Sequence, residues 1–458
     1  MKIAIIGAGW AGMAAAVQVM GSGHSATVFE ASRSIGGRAR AVNATLPDGS
    51  RATLDNGQHV LIGAYTETLG LMRRVGVNLG DALLRLPLSV KFPDGAGLQL
   101  PQWPPPLDSL AGILGANGWS LRDKASLLQA AVRWRCTSFR CGSRQSVADI
   151  CQRLTPRVMA ELIEPLCVSA LNTPAKRASG QVFLHVLRDA LFGARGSSNL
   201  LLPRVDLSQL FPQAAADWIA RHSARGGAGK LKLGARVDYV RNGAPTCLWQ
   251  VNGEGFDTVI LAVSSPDAVR ALVNIELYAS KEIAVQTQEW IQIASALRFE
   301  AITTVYAWGA GAALASPILA LRSQANASGP AQFVFDRGQL GGPKGLLAFV
   351  VSASTGERDA IQAGVLVQAS RQLGLTMQPV QTIVEKQATF ACTPGLQRPP
   401  LKIAAGLLAC GDYVDSPYPA TLEGAVRSGI AAANIAMGLS IGHVSDPAGD
   451  MDYVADRA

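Results

Sequence analysis

Lys2-Ile-Ala-Ile-Ile-Gly-Ala-Gly-Trp-Ala-Gly12 opens the chain, and Ala26-Thr-Val-Phe-Glu30 follows about one helix later. Lys2 to Ile6 is a short apolar strand. Gly7, Gly9 and Gly12 stand in the GxGxxG spacing, and the run from Met13 to Val17 is strongly helix-forming. Strand, glycine turn, helix, strand and acid in this order predict a dinucleotide-binding βαβ unit. Gly7 makes the tight turn, Gly9 bares the backbone to a pyrophosphate, and Gly12 lets helix pack on strand. The free N–H groups around Trp10 and Ala11 face the phosphates at the positive end of the helix dipole. Glu30 lies eighteen positions past Gly12, where a carboxylate accepts bonds from ribose hydroxyls. A single positive charge and correctly placed glycines argue against a signal peptide here.

Arg33-Ser-Ile-Gly-Gly-Arg38 follows Glu30 closely. A nicotinamide domain would usually continue with another strand and helix. Here Gly36 and Gly37 bare two backbone N–H groups, and Arg33 and Arg38 add guanidinium groups. This predicts a second phosphate cradle, and hence FAD. The far end of the chain supplies a matching half. Gly406 to Cys410 reads as a buried strand ending in Gly411-Asp412, and Pro417 to Gly429 as a loop entering a helix. Asp412 is expected to bond the ribityl chain. The helix N-terminus at Ala420, Thr421 and Leu422 is expected to point at the flavin N1/O2 edge, where charge gathers on reduction. Ala235–Val240 and Asp257–Pro266 read as further strands of the same sheet, with backbone near Val237 pairing the adenine edge. No Cys or His lies where a covalent flavin link would form, so the FAD is expected to be non-covalent.

Bulk composition narrows the partners. The chain has 458 residues, enough for two domains, with 16% charged residues, a net charge of +8 and a pI near 9.2. No apolar stretch is long enough to span a bilayer. The basic balance favours an anionic partner, yet no nucleic-acid module or lysine-rich tail is present, so no nucleic acid is expected. Trp103, Trp119, Arg122, Lys124, Arg133-Trp-Arg135 and Phe139-Arg140 interleave aromatics with cations. Two readings stand level: a headgroup-level surface for peripheral binding to anionic membrane, or a core stripe with snorkelling arginines. Seven cysteines without CxxC, and no signal peptide, suit a reducing cytoplasm, with the inner membrane face as the place of association. The five histidines show no ligand spacing, so no metal is expected.

The expected fold is α/β. A Rossmann-like FAD-binding domain (1–64, 205–268 and 400–438) carries an inserted α+β substrate domain (65–204 and 269–399), and 439–458 is a polar tail. Helical spacing marks Thr66–Val75, Leu121–Trp134, Val147–Arg153, Pro156–Ala170, Ala178–Leu191 and Arg358–Leu373. Strands are expected at Thr303–Trp308, Gln332–Phe335 and Leu346–Ser352.

Three segments carry a specific resemblance: Asn56 to Tyr65 with the stretch to Val75 behind it, Glu164-Pro-Leu-Cys-Val-Ser-Ala-Leu-Asn-Thr-Pro174, and Ala409 to Gly429. Together with the N-terminus they resemble the flavin amine oxidase and phytoene desaturase superfamily, and within it the hydroxysqualene dehydroxylase family. Tyr413-Val414 departs from the Trp-Thr expected after Gly-Asp. The resemblance implies a long apolar isoprenoid substrate, a flavin reduced by an unidentified donor, and replacement of an allylic hydroxyl by hydride. That chemistry needs an acid for the leaving hydroxyl. Glu164, in an apolar segment, His59, Asp55 and Tyr418 are the candidates, with Asp55 better suited to supporting the flavin site. The alternative for Glu164 is a helix-face glutamate paired with an arginine such as Arg157. The rival functions are a carotenoid-type desaturase using oxidised FAD, a flavin amine oxidase, and a flavin-binding protein without catalysis.

Overall fold

The computed structural model describes residues 1–242, 248–276, 280–323 and 329–439. Cys247 and, apart from Leu439, the expected polar tail lie outside them.

Two sheets organise the chain. The first has six strands in the order Gly229–Leu233, Ser25–Glu30, Lys2–Ile6, Thr258–Leu261, Leu407–Ala409, Lys402–Ala404. Its first five are parallel and the last pairs antiparallel. Strands buried on both faces need continuous apolar runs, and Thr258–Leu261 and Leu407–Ala409 are buried throughout. Helix Trp10–Gly21 lies on this sheet, almost entirely buried. Its small residues let helix Leu422–Ala436 approach very closely: a Cβ on Gly429 would sit 2.2 Å from the Ala11 carbonyl oxygen. Gln18 and Asn434 join the two helices by a 2.9 Å side-chain bond.

The second sheet is antiparallel, in the order Ile318–Ala320, Phe333–Asp336, Leu346–Val351, Phe299–Trp308, Gln378–Phe390. Helix Arg358–Leu373 packs against it, as its spacing predicts. Helices Thr66–Arg74, Leu121–Cys136 and Gly180–Leu191 fall where the periodicity places them. Pro156–Leu171 is interrupted by a π-helical turn at Met159–Ile163. Pro165 has no N–H to give the carbonyl four residues back, and the widened turn accommodates that gap.

Two expectations change, and one open choice resolves. Ala235–Val240 is not a strand of the first sheet. Gly234, at φ +65°, turns the chain out after Gly229–Leu233, and Val240–Asn242 starts a separate three-stranded sheet. The strand expected to reach Pro266 stops at Leu261. Helix Ser265–Glu276 follows, with Ser264 bonded to Asp267 in its first turn. The open choice concerns the aromatic–arginine segment. Trp119, Trp134 and Phe139 are each only 6% exposed, so in helix Leu121–Cys136 the core-stripe reading holds. The exposed apolar surface lies just upstream, at Trp103, Leu107, Leu110 and Leu114. Among the described residues no helix is long and apolar enough to cross a membrane.

Candidate active site

The two glycine turns meet. Gly7 donates its N–H to the Phe29 carbonyl, and Gly36 donates to the Ala8 carbonyl at 2.9 Å, stitching the first turn to the second. A Cβ on Gly7 or Gly12 would strike backbone oxygen, at 2.5 Å from Ala262 and 2.0 Å from Gly7 respectively. These two glycines are packing necessities. Gly9 differs: its Cβ would meet only the Cα of Gly37, at 3.9 Å. Gly9 and Gly37 therefore pack backbone to backbone, and the slot along their bare edge, free of side chains, is the kind of cradle a pyrophosphate needs. The first helical bond at this end is Met13 to Gly9, so the N–H groups of Trp10, Ala11 and Gly12 have no intrahelical acceptor. The Trp10 and Ala11 side chains themselves are core, with the indole donating to Ala39 and packing on Phe211.

Glu30 sits at the end of its strand beside the slot. One carboxylate oxygen accepts the Ala8 N–H and the other the Ser32 N–H, both at 2.8 Å. It braces both sides of the turn and keeps lone pairs for a ribose. Arg33 is exposed, and Val237 lies in the irregular stretch after the edge strand.

Arg38 and Asp412 are brought together. The guanidinium forks onto both carboxylate oxygens at 2.7 and 2.8 Å, and its other amino group reaches the Gln387 and Ala388 carbonyls. The neighbouring Asp412 charge raises the guanidinium's affinity for its proton. Arg38 is thus a clamp between the glycine turn, the C-terminal Gly411-Asp412 and the longest strand of the second sheet. This corrects the expectation of a guanidinium aimed at phosphate. Asn56 reinforces the clamp, donating to the Arg38 carbonyl and to Glu385.

The helix at the other end is capped as the sequence requires. Thr421 Oγ1 accepts from Gly424, leaving the Leu422 and Glu423 N–H groups without helical acceptors. Buried Glu423 accepts the N–H groups of Glu67 and Thr68, pinning helix Thr66–Arg74 beside this terminus. Tyr413 is buried edge-on against Trp290.

The acid candidates separate. His59 Nδ1 donates to the Gly57 carbonyl at 2.8 Å; burial and nearby Arg38 lower its pKa. With its Nδ1 proton committed to that carbonyl and its charged form disfavoured by burial, His59 is less suited than a protonated carboxyl to supply the acid. Tyr418 donates its hydroxyl to Asp189 at 2.9 Å, and burial raises its pKa. Asp55 is buried, with its pKa pushed up to about 6 by desolvation, between the Leu207 N–H and the Arg337 guanidinium 3.9 Å away. Its backbone exchanges bonds with the Tyr306 hydroxyl, so it supports the frame. Glu164 follows the π turn. Burial raises its pKa, and its carboxyl accepts only weakly, at 3.3 Å, from Ala175. It is not paired with Arg157, which donates to the Gly118 carbonyl instead.

Sequence reasoning missed Arg398. Its guanidinium donates to the carbonyls of Asp412, Tyr413, Ser416 and Tyr418, lacing the whole loop that follows Gly411. Burial lowers its pKa, and it stacks 4.3 Å over the Phe390 ring. An arginine between Gln397 and two prolines carries no periodic signal that would have found it. Arg337 and Tyr306 were missed for the same reason.

The doubly wound sheet, the bare glycine slot and the capped C-terminal helix define a two-domain flavin-binding protein of α/β class. A model of the flavin containing amine oxidoreductase family matches residues 10–437, and the chain belongs to that family. It is an FAD-dependent oxidoreductase. Hydroxysqualene dehydroxylases of Sinorhizobium fredii and Zymomonas mobilis are each 24% identical to it, over 95% and 94% of this chain and 98% of theirs. Zeta-carotene desaturase of Synechocystis is 40% identical, but over 17% of this chain and 15% of its own length. The crystal structure of an oxidoreductase from Methanosarcina mazei superposes with a TM-score of 0.70 at 16% identity, covering 94% of this chain and 99% of that one.

Proposed function

We propose that the protein is a hydroxysqualene dehydroxylase, exchanging the hydroxyl of a long isoprenoid alcohol for hydrogen. The observation that carries this reading is coverage. Likeness to hydroxysqualene dehydroxylases runs through both sheets and almost the whole chain, whereas likeness to the Synechocystis zeta-carotene desaturase covers 17% of it.

On this reading FAD is held non-covalently. The Gly9/Gly37 slot and the N–H groups of Trp10, Ala11 and Gly12 take the pyrophosphate. Glu30 takes a ribose, backbone near Val237 the adenine, and Asp412 the ribityl chain beside the N-terminus at Ala420 to Leu422. When bound and reduced by a separate donor, FAD would supply the hydride that replaces the hydroxyl. The chain's own task is to protonate the leaving oxygen, so that it departs as water. Glu164 is the acid of choice, because burial favours its protonated form and its one backbone bond is weak. His59, its Nδ1 proton given to the Gly57 carbonyl, braces the turn beside Arg38.

The same reading includes peripheral contact with a bilayer. Leu107, Leu110 and Leu114 occupy one helix face with Trp103 nearby, and Arg122 and Lys124 follow. Exposed apolar residues beside cations suit the interface of an anionic membrane.

The deciding experiment reduces the bound flavin anaerobically and adds hydroxysqualene. Reoxidation with formation of squalene is expected. A flavin that stays reduced with this substrate, or one that turns over only by oxidising a carotenoid precursor or an amine, refutes the reading.

A further inference from the structure

A cleft of about 640 Å³ lies outside the candidate active site, where helix Leu121–Cys136 ends against helix Gly180–Leu191. Arg135, Arg140, Arg188 and His185 line it, with the Ser138 hydroxyl and the Gln181 amide. Among the described residues no acidic side chain lines it. The adjacent carboxylate of Asp189 accepts from Arg188 Nε at 2.8 Å and from the Tyr418 hydroxyl. Arg135 and Arg140 have no carboxylate partner within 4 Å among the described residues.

The arrangement is built. Ser138 and Phe139 turn the chain with consecutive positive φ values of 50° and 56°, bringing Arg140 back after the helix that carries Arg135. Non-glycine residues adopt that conformation only where the surroundings impose it. The surroundings here are Phe139 against Phe192 at 5.0 Å, Gln181 donating to the Phe139 carbonyl, and Gln181 accepting from the Cys141 N–H. Arg135 lies over the same Phe192 ring. His185 shares the field: burial and then Arg188 and Arg140 lower its pKa, against Asp189 and a bond to the Pro417 carbonyl. Gathering like charges in one concavity is unfavourable in the absence of a counter-charge, and planar guanidinium forks match phosphate oxygens.

We propose that this cleft binds a phosphate or diphosphate group, presented either by a soluble diphosphate or by the headgroup of an anionic lipid. The proposal is independent of the dehydroxylase reading. It does have a route to the active site, because helix Gly180–Leu191 carries Arg188 and His185 into the cleft and Asp189 onto Tyr418.

The test uses the flavin-loaded enzyme with two probes, inorganic diphosphate by calorimetry and vesicles of phosphatidylglycerol against phosphatidylcholine by sedimentation. The double variant R135Q/R140Q is compared with R51Q/R358Q, which removes two exposed arginines elsewhere. Loss of two charge-assisted contacts should weaken binding about ten-fold or more. Diphosphate binding weakened in R135Q/R140Q alone assigns a soluble ligand. Phosphatidylglycerol binding weakened in that variant alone, without diphosphate binding, assigns a headgroup. Absence of binding to both probes overturns the proposal, as does equal binding by the two double variants. Unchanged flavin content and melting temperature check that the variants are folded.

Discussion

The three glycines of the first turn do different work, and single methyl groups separate them. Gly9 has φ −76° and ψ −178°, a conformation open to any residue, and a Cβ there meets only Gly37 Cα at ordinary contact distance, 3.9 Å. Gly9→Ala should therefore fold, at a cost of about 1 kcal/mol or less for the altered helix cap. Its methyl would nevertheless occupy the slot. Losing two charge-assisted bonds from phosphate to the N–H groups of Trp10 and Ala11, at about 1.5–3 kcal/mol each, removes roughly 3–6 kcal/mol. FAD affinity should fall about 10²- to 10⁴-fold. Gly12→Ala is the opposite case. Its Cβ lies 2.0 Å from the Gly7 carbonyl oxygen and 3.0 Å from the Ala262 Cβ, so helix must separate from strand, at about 1–3 kcal/mol or more. The assay is a fluorescence titration of FAD onto each apoprotein, beside its thermal melt. Gly9→Ala should melt with the wild type and bind poorly, while Gly12→Ala should melt low even as apoprotein. Wild-type FAD affinity in Gly9→Ala would refute the placement of the pyrophosphate.

Other substitutions probe the remaining groups. Glu164→Gln should retain FAD and slow flavin reoxidation by hydroxysqualene roughly 10²- to 10⁴-fold in single turnover; a near-normal rate removes Glu164 as the acid. The folded pKa of Asp55 is about 6 against about 3.9 unfolded, so its protonated form is the stabilising one. That contribution is complete below pH ~4 and lost as pH rises through ~6, about 3 kcal/mol by pH 7. Asp55→Asn should accordingly flatten the denaturant-midpoint profile between pH 4 and 7, and parallel profiles would contradict the burial argument. Leu110→Glu with Leu114→Glu should reduce sedimentation with anionic vesicles without lowering flavin content; undiminished sedimentation would move the membrane contact elsewhere.

The nucleotide half was legible because its chemistry is local. Turn, helix, strand and acid fall within Lys2 to Glu30, and each residue type answers a constraint imposed by near neighbours. The Gly229–Leu233 edge strand was missed for the complementary reason. Its two lysines gave it no buried-strand signature, while Ala235–Val240 alternates convincingly yet follows a glycine whose positive φ points it out of the sheet. The Trp119 and Trp134 positions left two readings level, since composition does not say which face of a helix meets the core. The exposed leucines at 107, 110 and 114 became meaningful only once that core was seen.

The catalytic side was less legible because it is written in pairs distant along the chain. Arg38 meets Asp412 and the carbonyls of Gln387 and Ala388, Asn56 meets Glu385, Glu423 meets Thr68, and Arg398 fastens the loop after Gly411. Arg398 lies 14 residues before Asp412, but the members of the other pairs are 329 to 374 residues apart. Their consequence is functional. The strand Gln378–Phe390 belongs to the second sheet, yet through Arg38 and Asn56 it fixes the glycine turn of the first. The slot along Gly9 and Gly37 is thereby held partly from the substrate side. Arg398→Met removes four carbonyl contacts from residues 412 to 418 and leaves the slot glycines untouched. It should loosen FAD while sparing the six-stranded sheet, seen as lost flavin with retained far-ultraviolet circular dichroism. Full flavin retention in that variant would mean that the first sheet alone holds the cofactor, and that the clamps serve only to join the domains.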